Sequence, residues 1–345
     1  MRKLITIQIL IVVYSGLTFG QTVAKYAGEF MAIGVGGRAL GLGSAYAAVA
    51  NDASAAYWNP AALTRLSYPE LMLMHDERFG SLVNYDFGAV AIPYGPEATV
   101  ALSVMRLGVD GIPDTRNAGL DASGNLLPPD QWQNAVRLDY SHISYFNSAD
   151  YAIHLSFAER ASSDLSYGVN LKLVRRTLAE YRATGIGFDV GALYQLDENG
   201  VVAAVVQDVT TTLIAWSTGR NELVSPTLKL AGAYSLDILM GRLTPTVDVD
   251  VRFENHQTAS AAHLGPVSFD PHVGLEFDYK QSIAFRVGYN DLKQMTLGAG
   301  LHLRKLDVDY SFAKFGSEND LGKTHRISLR FLVQEEKFAR GKTSE

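Results

Sequence analysis

The 345-residue chain contains no cysteine, which excludes disulfide staples, thiolate metal sites and lipid attachment to an N-terminal cysteine. Charge is sparse too: Asp, Glu, Lys and Arg make up 19% of the residues and the net charge is -6, so there is no basic surface for nucleic acid. Long apolar runs are also missing. The strongest, Leu4 to Val13, falls short of the roughly 20 residues that a membrane-spanning helix needs. With Arg2 and Lys3 before it and Thr18-Phe19-Gly20 after it, residues 1–20 read instead as a secretory signal cleaved before Gln21. A single uncleaved anchor is the alternative, and the shortness of the run argues against it.

Catalytic signatures are equally scarce. Gly34-x-Gly36-x-x-Ala39 has the form of a dinucleotide fingerprint, but no strand precedes it and no acidic residue follows about twenty positions on. GxSxG and HExxH are absent. His256 and His263 share a predicted outer loop, where histidines are far more often solvated than metal-bound. The expectation is a protein that is not an enzyme and has no cofactor or metal.

What the chain does have is alternation. Five C-terminal segments set apolar against polar residues with a period of two, the spacing at which side chains leave opposite faces of a strand. Val273, Leu275, Phe277 and Tyr279 oppose Gly274, Glu276 and Asp278; Ile283, Phe285, Val287 and Tyr289 oppose Ala284, Arg286 and Gly288. The pattern repeats from Leu297 to Leu303, Leu306 to Phe312 and Ile327 to Val333. A soluble antiparallel sandwich would also alternate. Here, however, the apolar face is nearly free of charge, and the other face mixes charges with Gly, Ala and Ser, as a crowded lumen would. Tyr279, Tyr289 and Tyr310 lie on the apolar face, as in an interfacial girdle.

Further alternating runs at about 69–76, 84–94, 97–108, 149–159, 164–176, 182–195, 200–208, 226–236 and 243–254 bring the expected total to about fourteen strands. Tight turns such as Tyr94-Gly95-Pro96-Glu97 and Asp197-Glu198-Asn199-Gly200 alternate with long connections at 108–148, 209–225, 255–269 and 315–323. The predicted fold is all-β: a transmembrane antiparallel barrel over 67–334, in the bacterial outer membrane, with short periplasmic turns, longer outer loops and both termini on the periplasmic side. Residues 34–63, rich in Gly and Ala, lack the dyad pattern. Segment 21–66 is therefore expected to be a small plug inside the lumen. Residues 335–345 read as a charged periplasmic tail beyond Phe331, a disordered tail being the alternative.

Within 34–63, the start Gly37-Arg38-Ala39-Leu40-Gly41-Leu42-Gly43, the stretch Asn51-Asp52-Ala53-Ser54 and the turn Trp58-Asn59-Pro60-Ala61 resemble the N-terminal signature of the FadL-like outer-membrane proteins. That resemblance implies a plug or hatch inside a fourteen-stranded barrel. Gln207-Asp208-Val209-Thr210-Thr211-Thr212, Trp216-Ser217-Thr218-Gly219 and Asp270-Pro271-His272-Val273-Gly274-Leu275-Glu276 are similar to the PorV/PorQ branch of that superfamily. The PorV-like resemblance implies an accessory barrel of protein export by type IX secretion, with secreted cargo and other secretion subunits as partners. The FadL-like one implies uptake of long-chain fatty acids or other hydrophobic small molecules that leave sideways through the wall. A purely structural or adhesive barrel is a third reading. Outer-membrane lipid is a partner in all three, and export is the expectation taken first.

The candidate residues follow from this frame. Arg38, the only cation of 34–63, is expected to hold the plug against interior aspartates, and Trp58, Asn59 and Pro60 to order or gate its end, with Asn59 capping a turn opened by Pro60. Asp189, Asp248, Asp250, Arg252, Glu276, Asp278, Arg286, Asp307, Asp309 and Arg330 are expected to line the lumen as a paired charge lattice, a path for cargo being the alternative. Trp132, Leu213, Ile214 and Trp216 are expected to be contact residues on outer loops.

Overall fold

The computed structural model describes residues 28–253, 260–314 and 323–341; the signal segment 1–20 and His256 lie outside them. Fourteen antiparallel strands close into a barrel: β1 (Glu70–Arg78), β2 (Val83–Tyr94), β3 (Ala98–Asp114), β4 (Ser144–Arg160), β5 (Leu165–Leu178), β6 (Tyr181–Gln195), β7 (Gly200–Gln207, continued by Thr212–Trp216), β8 (Asn221–Val224, continued by Thr227–Tyr234), β9 (Gly241–Arg252), β10 (Val267–Tyr279), β11 (Ile283–Tyr289), β12 (Met295–His302), β13 (Leu306–Lys314) and β14 (Lys323–Leu332). The last strand pairs with the first, Glu70 opposite Leu332 and Glu77 opposite His325, so the sheet has no free edge.

The polarity is inverted relative to a soluble domain. On β11 to β13, Phe285 is 58% exposed and Leu297 54%, while Arg286 is 3% and Asp309 6% exposed. Apolar side chains thus clothe the outside and charges fill the inside, an arrangement stable only where the outer medium is hydrocarbon.

One end of the barrel, here the turn end, carries only short connections. Two of them, Leu239-Met240 and Lys280-Gln281, have both central residues at positive φ, as tight hairpin turns require. The opposite loop end is mixed. The connection 115–143 is long and carries its own small hairpin, Gly119–Leu120 with Arg137–Leu138, yet Ala179-Glu180 alone joins β5 to β6. Among the described residues the expected sorting of loop lengths therefore holds at the turn end, while nearly all of the expected connection at 315–323 and the start of that at 255–269 lie outside them. Nor is 209–225 a loop. Its residues extend the wall, with Leu213 opposite both Ile186 of β6 and Leu223 of β8. Pairing along the β7–β8 seam stops at Gln207–Thr227 and resumes at Thr212–Val224, leaving 208–211 and 225–226 as an interruption in the wall.

Residues 28–66 fill the lumen with the helical turns Glu29–Met31, Gly37–Gly41, Ala55–Trp58 and Pro60–Arg65. Gly28, the first described residue, lies against Val224 towards the loop end, and Arg65 leads to β1 at the turn end. The segment crosses the lumen from one end to the other. The first described residues are thus on the side opposite to the one expected for the N-terminus, while the C-terminal residues lie at the turn end.

Candidate functional site: the filled lumen

The lumen face is small where the segment touches it. A Cβ at Gly288 would meet the Gly43 nitrogen at 2.2 Å, and one at Gly168 would meet the Pro60 carbonyl carbon at 2.4 Å. Glycine is therefore required on these strands for close backbone approach rather than for an unusual φ.

The first half of the segment, around Arg38, is held on β9 to β14 by charge. Arg38 donates from Nε to Glu276 Oε2 (2.8 Å) and from Nη2 to Oε1 (2.7 Å), a bidentate pair, and its guanidinium lies 5.3 Å from the Tyr46 ring centre. The partner is thus a glutamate, not one of the aspartates. Burial disfavours the Arg38 charge, but the Glu276 carboxylate outweighs it and holds the guanidinium above its ordinary pKa. Glu276 also accepts from Arg286 Nε (2.6 Å), and Arg286 Nη1 donates to Asp309 (2.6 Å). Asp248 accepts the Tyr46 and Ala47 N–H groups at 3.0 Å each, and Arg330 pairs with Asp307 and with Glu70.

The second half is held on β3 to β7 largely by neutral groups, with the Arg160 guanidinium of β4 donating to the Thr64 carbonyl (3.2 Å). Asn59 is fully buried. Its Oδ1 accepts from Ala61 N–H (3.1 Å), with Pro60 at the first position of the turn, and its Nδ2 donates to the Ala47 (3.1 Å) and Ala192 (3.3 Å) carbonyls. Trp58 Nε1 donates to the Val35 carbonyl (2.9 Å), and its ring meets Tyr57 edge to face at 4.9 Å. Thr64 Oγ1 donates to Ser166 (2.9 Å).

Two spaces remain. A cavity of about 360 Å³ lies on the loop side of the segment, and a chamber of about 940 Å³ opens on the turn side, lined by Arg38, Asn51, Arg65, Glu276 and Asp278. The loop-side cavity has an apolar floor of Met31, Leu40, Tyr57 and Trp58. Its walls carry Lys172, which donates to Asp208 (2.8 Å) and lies 3.0 Å from Asp189, and Lys229, which pairs with Asp250. Arg252, Asp270 and Asp291 continue the network. Each of these acids lies beside a base, so the walls present paired charges of both signs.

Of the candidate outer-loop residues, Trp132 is on 115–143 and about half exposed. Leu213, Ile214 and Trp216 are in a strand instead: Leu213 points outward, Ile214 is fully buried towards the lumen, and Arg176 lies over the Trp216 ring at 5.3 Å. The alternation of Thr212, Leu213, Ile214 and Ala215 carries that information, but it is only one short run between two turns. Sequence reasoning also missed Lys172 and Lys229. Lys172 and Arg176 are the charges on the face that also carries Ser166, Gly168 and Asn170, which is the signal that could have found Lys172.

A model of the uncharacterised protein family UPF0164 matches residues 16–87, the segment and the start of the barrel. No curated protein matches the chain. Among solved structures, the CymD monoaromatic hydrocarbon channel is 16% identical, with 88% of this chain and 98% of that one covered and a TM-score of 0.55. The Ralstonia pickettii toluene transporter TbuX is 13% identical, with 87% and 98% covered and a TM-score of 0.53. A Pseudomonas aeruginosa FadL homologue is 11% identical, with 86% and 98% covered and a TM-score of 0.54. The chain therefore has the fold of the FadL-like outer-membrane barrels.

Proposed function

We propose that the protein resides in the outer membrane, turn end to the periplasm, and passes small hydrophobic or amphiphilic molecules inward, with residues 21–66 acting as its plug. The loop-side cavity carries this reading. It joins an apolar floor to walls of paired charges, and the segment lies beneath it across the lumen. Channels and transporters with this fold support it, as named above. The FadL-like resemblance implies sideways exit, and Gln207, Asp208, Val224 and Ser225, which flank or form the wall interruption, line the same cavity.

Export of proteins by type IX secretion rests on the PorV/PorQ-like motifs alone, and none of the structures named above is a secretion component. The test is uptake of toluene and of oleate by cells with and without the protein, alongside Met31→Trp, which fills the cavity. Protein-dependent uptake that Met31→Trp abolishes at unchanged barrel abundance is the expected result. No protein-dependent uptake of either compound, together with loss of a type IX cargo from the cell surface on deletion, would restore export.

A further inference from the structure

The C-terminal tail doubles back under the barrel. After β14, the Val333 N–H donates to the Pro69 carbonyl, a short helical turn spans Glu336–Phe338, and Arg340 then reaches the point where the lumen segment passes into β1. The Arg340 N–H donates to the Ser67 carbonyl (2.9 Å). Its guanidinium donates from Nε to the Leu66 carbonyl (2.7 Å), from Nη1 to the Ala98 carbonyl (2.9 Å), and from Nη2 to Thr99 Oγ1 (2.6 Å) and the Leu63 carbonyl (3.4 Å).

These acceptors belong to two different bodies. Leu63, Leu66 and Ser67 form or follow the last helical turn of the segment, Pro60–Arg65, where the Leu63 carbonyl already accepts from the Leu66 N–H and the Leu66 and Ser67 carbonyls lie beyond the turn's end. Ala98 and Thr99 open β3, three strands away from β14 around the rim. A planar guanidinium with five donors suits this geometry, because one side chain can cap a helix end and grip a strand together. The Thr99 hydroxyl itself donates to the Leu63 carbonyl (3.0 Å), so both contacts meet at one point.

We propose that the tail is a latch: Arg340 fastens the turn-end base of the lumen segment to β3, so that movement of the segment requires the tail to let go. Arg340 could reach this seat only after β14 has formed, which makes latching a late event. The inference stands apart from what the lumen passes, and its test reads the segment directly.

The chain has no cysteine, so Thr64→Cys gives a single thiol at a buried position of the segment's last turn. Thiol labelling in reconstituted barrels should be slow in the parent and about tenfold or more faster with Arg340→Met, which corresponds to ~1.4 kcal/mol less holding energy. Arg340→Lys should fall between, having the charge without the fork. Lys337→Ala, on the same tail but exposed and in contact with the tail's own Glu335 and Phe338, should match the parent. Heat-modifiable gel migration reports whether each barrel is folded. If Arg340→Met fails to fold, Arg340→Lys carries the test. Parent-like labelling in the folded arginine variants, or equal acceleration by Lys337→Ala, would overturn the latch. Faster labelling with unchanged single-channel conductance would keep the latch but remove the plug role proposed above.

Discussion

The two halves of the lumen segment are fastened to opposite sides of the barrel by opposite kinds of chemistry. The half around Arg38 sits on β9 to β14 and is tied by a relay of ions, Arg38 to Glu276 to Arg286 to Asp309. The half around Asn59 sits on β3 to β7 among Ala, Leu and Tyr, and is held through its backbone carbonyls, by neutral donors and by the arginines Arg160 and Arg340, without a carboxylate relay. Both halves share the close approach to wall glycines. The difference separates fit from attachment: glycine lets the segment come near on both sides, while what holds it there is a relay of paired ions on one side and packing with hydrogen bonds to carbonyls on the other.

The sharpest way to break the comparison is at its ionic centre. Glu276→Ala removes the carboxylate shared by two buried arginines, and unfolding of the barrel in urea should show a loss of about 3–5 kcal/mol or more. Arg38→Ala should cost less than Glu276→Ala, because Arg286 still covers Glu276. A reversed order would mean that the relay is not one unit.

Overpacking probes both halves equally. Gly288→Ala and Gly168→Ala each place a Cβ against segment backbone, and each should lower stability by about 1–3 kcal/mol, measured in the same titration. A cost on one side only would show that the other half of the segment moves freely.

Asn59→Ala is the neutral counterpart. Losing the cap costs about 0.5–2 kcal/mol, and the upper end is expected because Nδ2 also serves two buried carbonyls. Protease cutting within 53–66 should rise while the Arg38 half is unaffected. The smallest effect belongs to Trp132→Ala, outside both halves, which should change unfolding by less than about 0.5 kcal/mol.

The barrel was legible because the alternation is a local property. Each strand shows its two faces within a few residues, and the observed strands fall where the pattern put them, from Glu70–Arg78 to Lys323–Leu332, except for the wall extensions Thr212–Trp216 and Asn221–Val224. Partners across the lumen were not. Arg38 and Glu276 are separated by 238 positions, and nothing in either neighbourhood names the other. Ile214 was misplaced because a five-residue strand beside Asp208–Thr211 looks like a loop when the count of strands is already even. Arg340 escaped notice because a charged tail reads as solvated unless its acceptors are known, and those are backbone carbonyls, which every sequence has.

The seam between β1 and β14 gives the molecule a history. β1 leaves the lumen directly from the segment, and β14 is made nearly last, so the cylinder cannot be zipped shut until the whole wall exists. Gly37 then rests on Ser328, 291 positions away, a contact that no partial chain can form. Such distant pairing is slow, since the entropy of closing the loop is lost before any contact rewards it. The contacts between the segment and β14 are therefore complete only when the cylinder has closed.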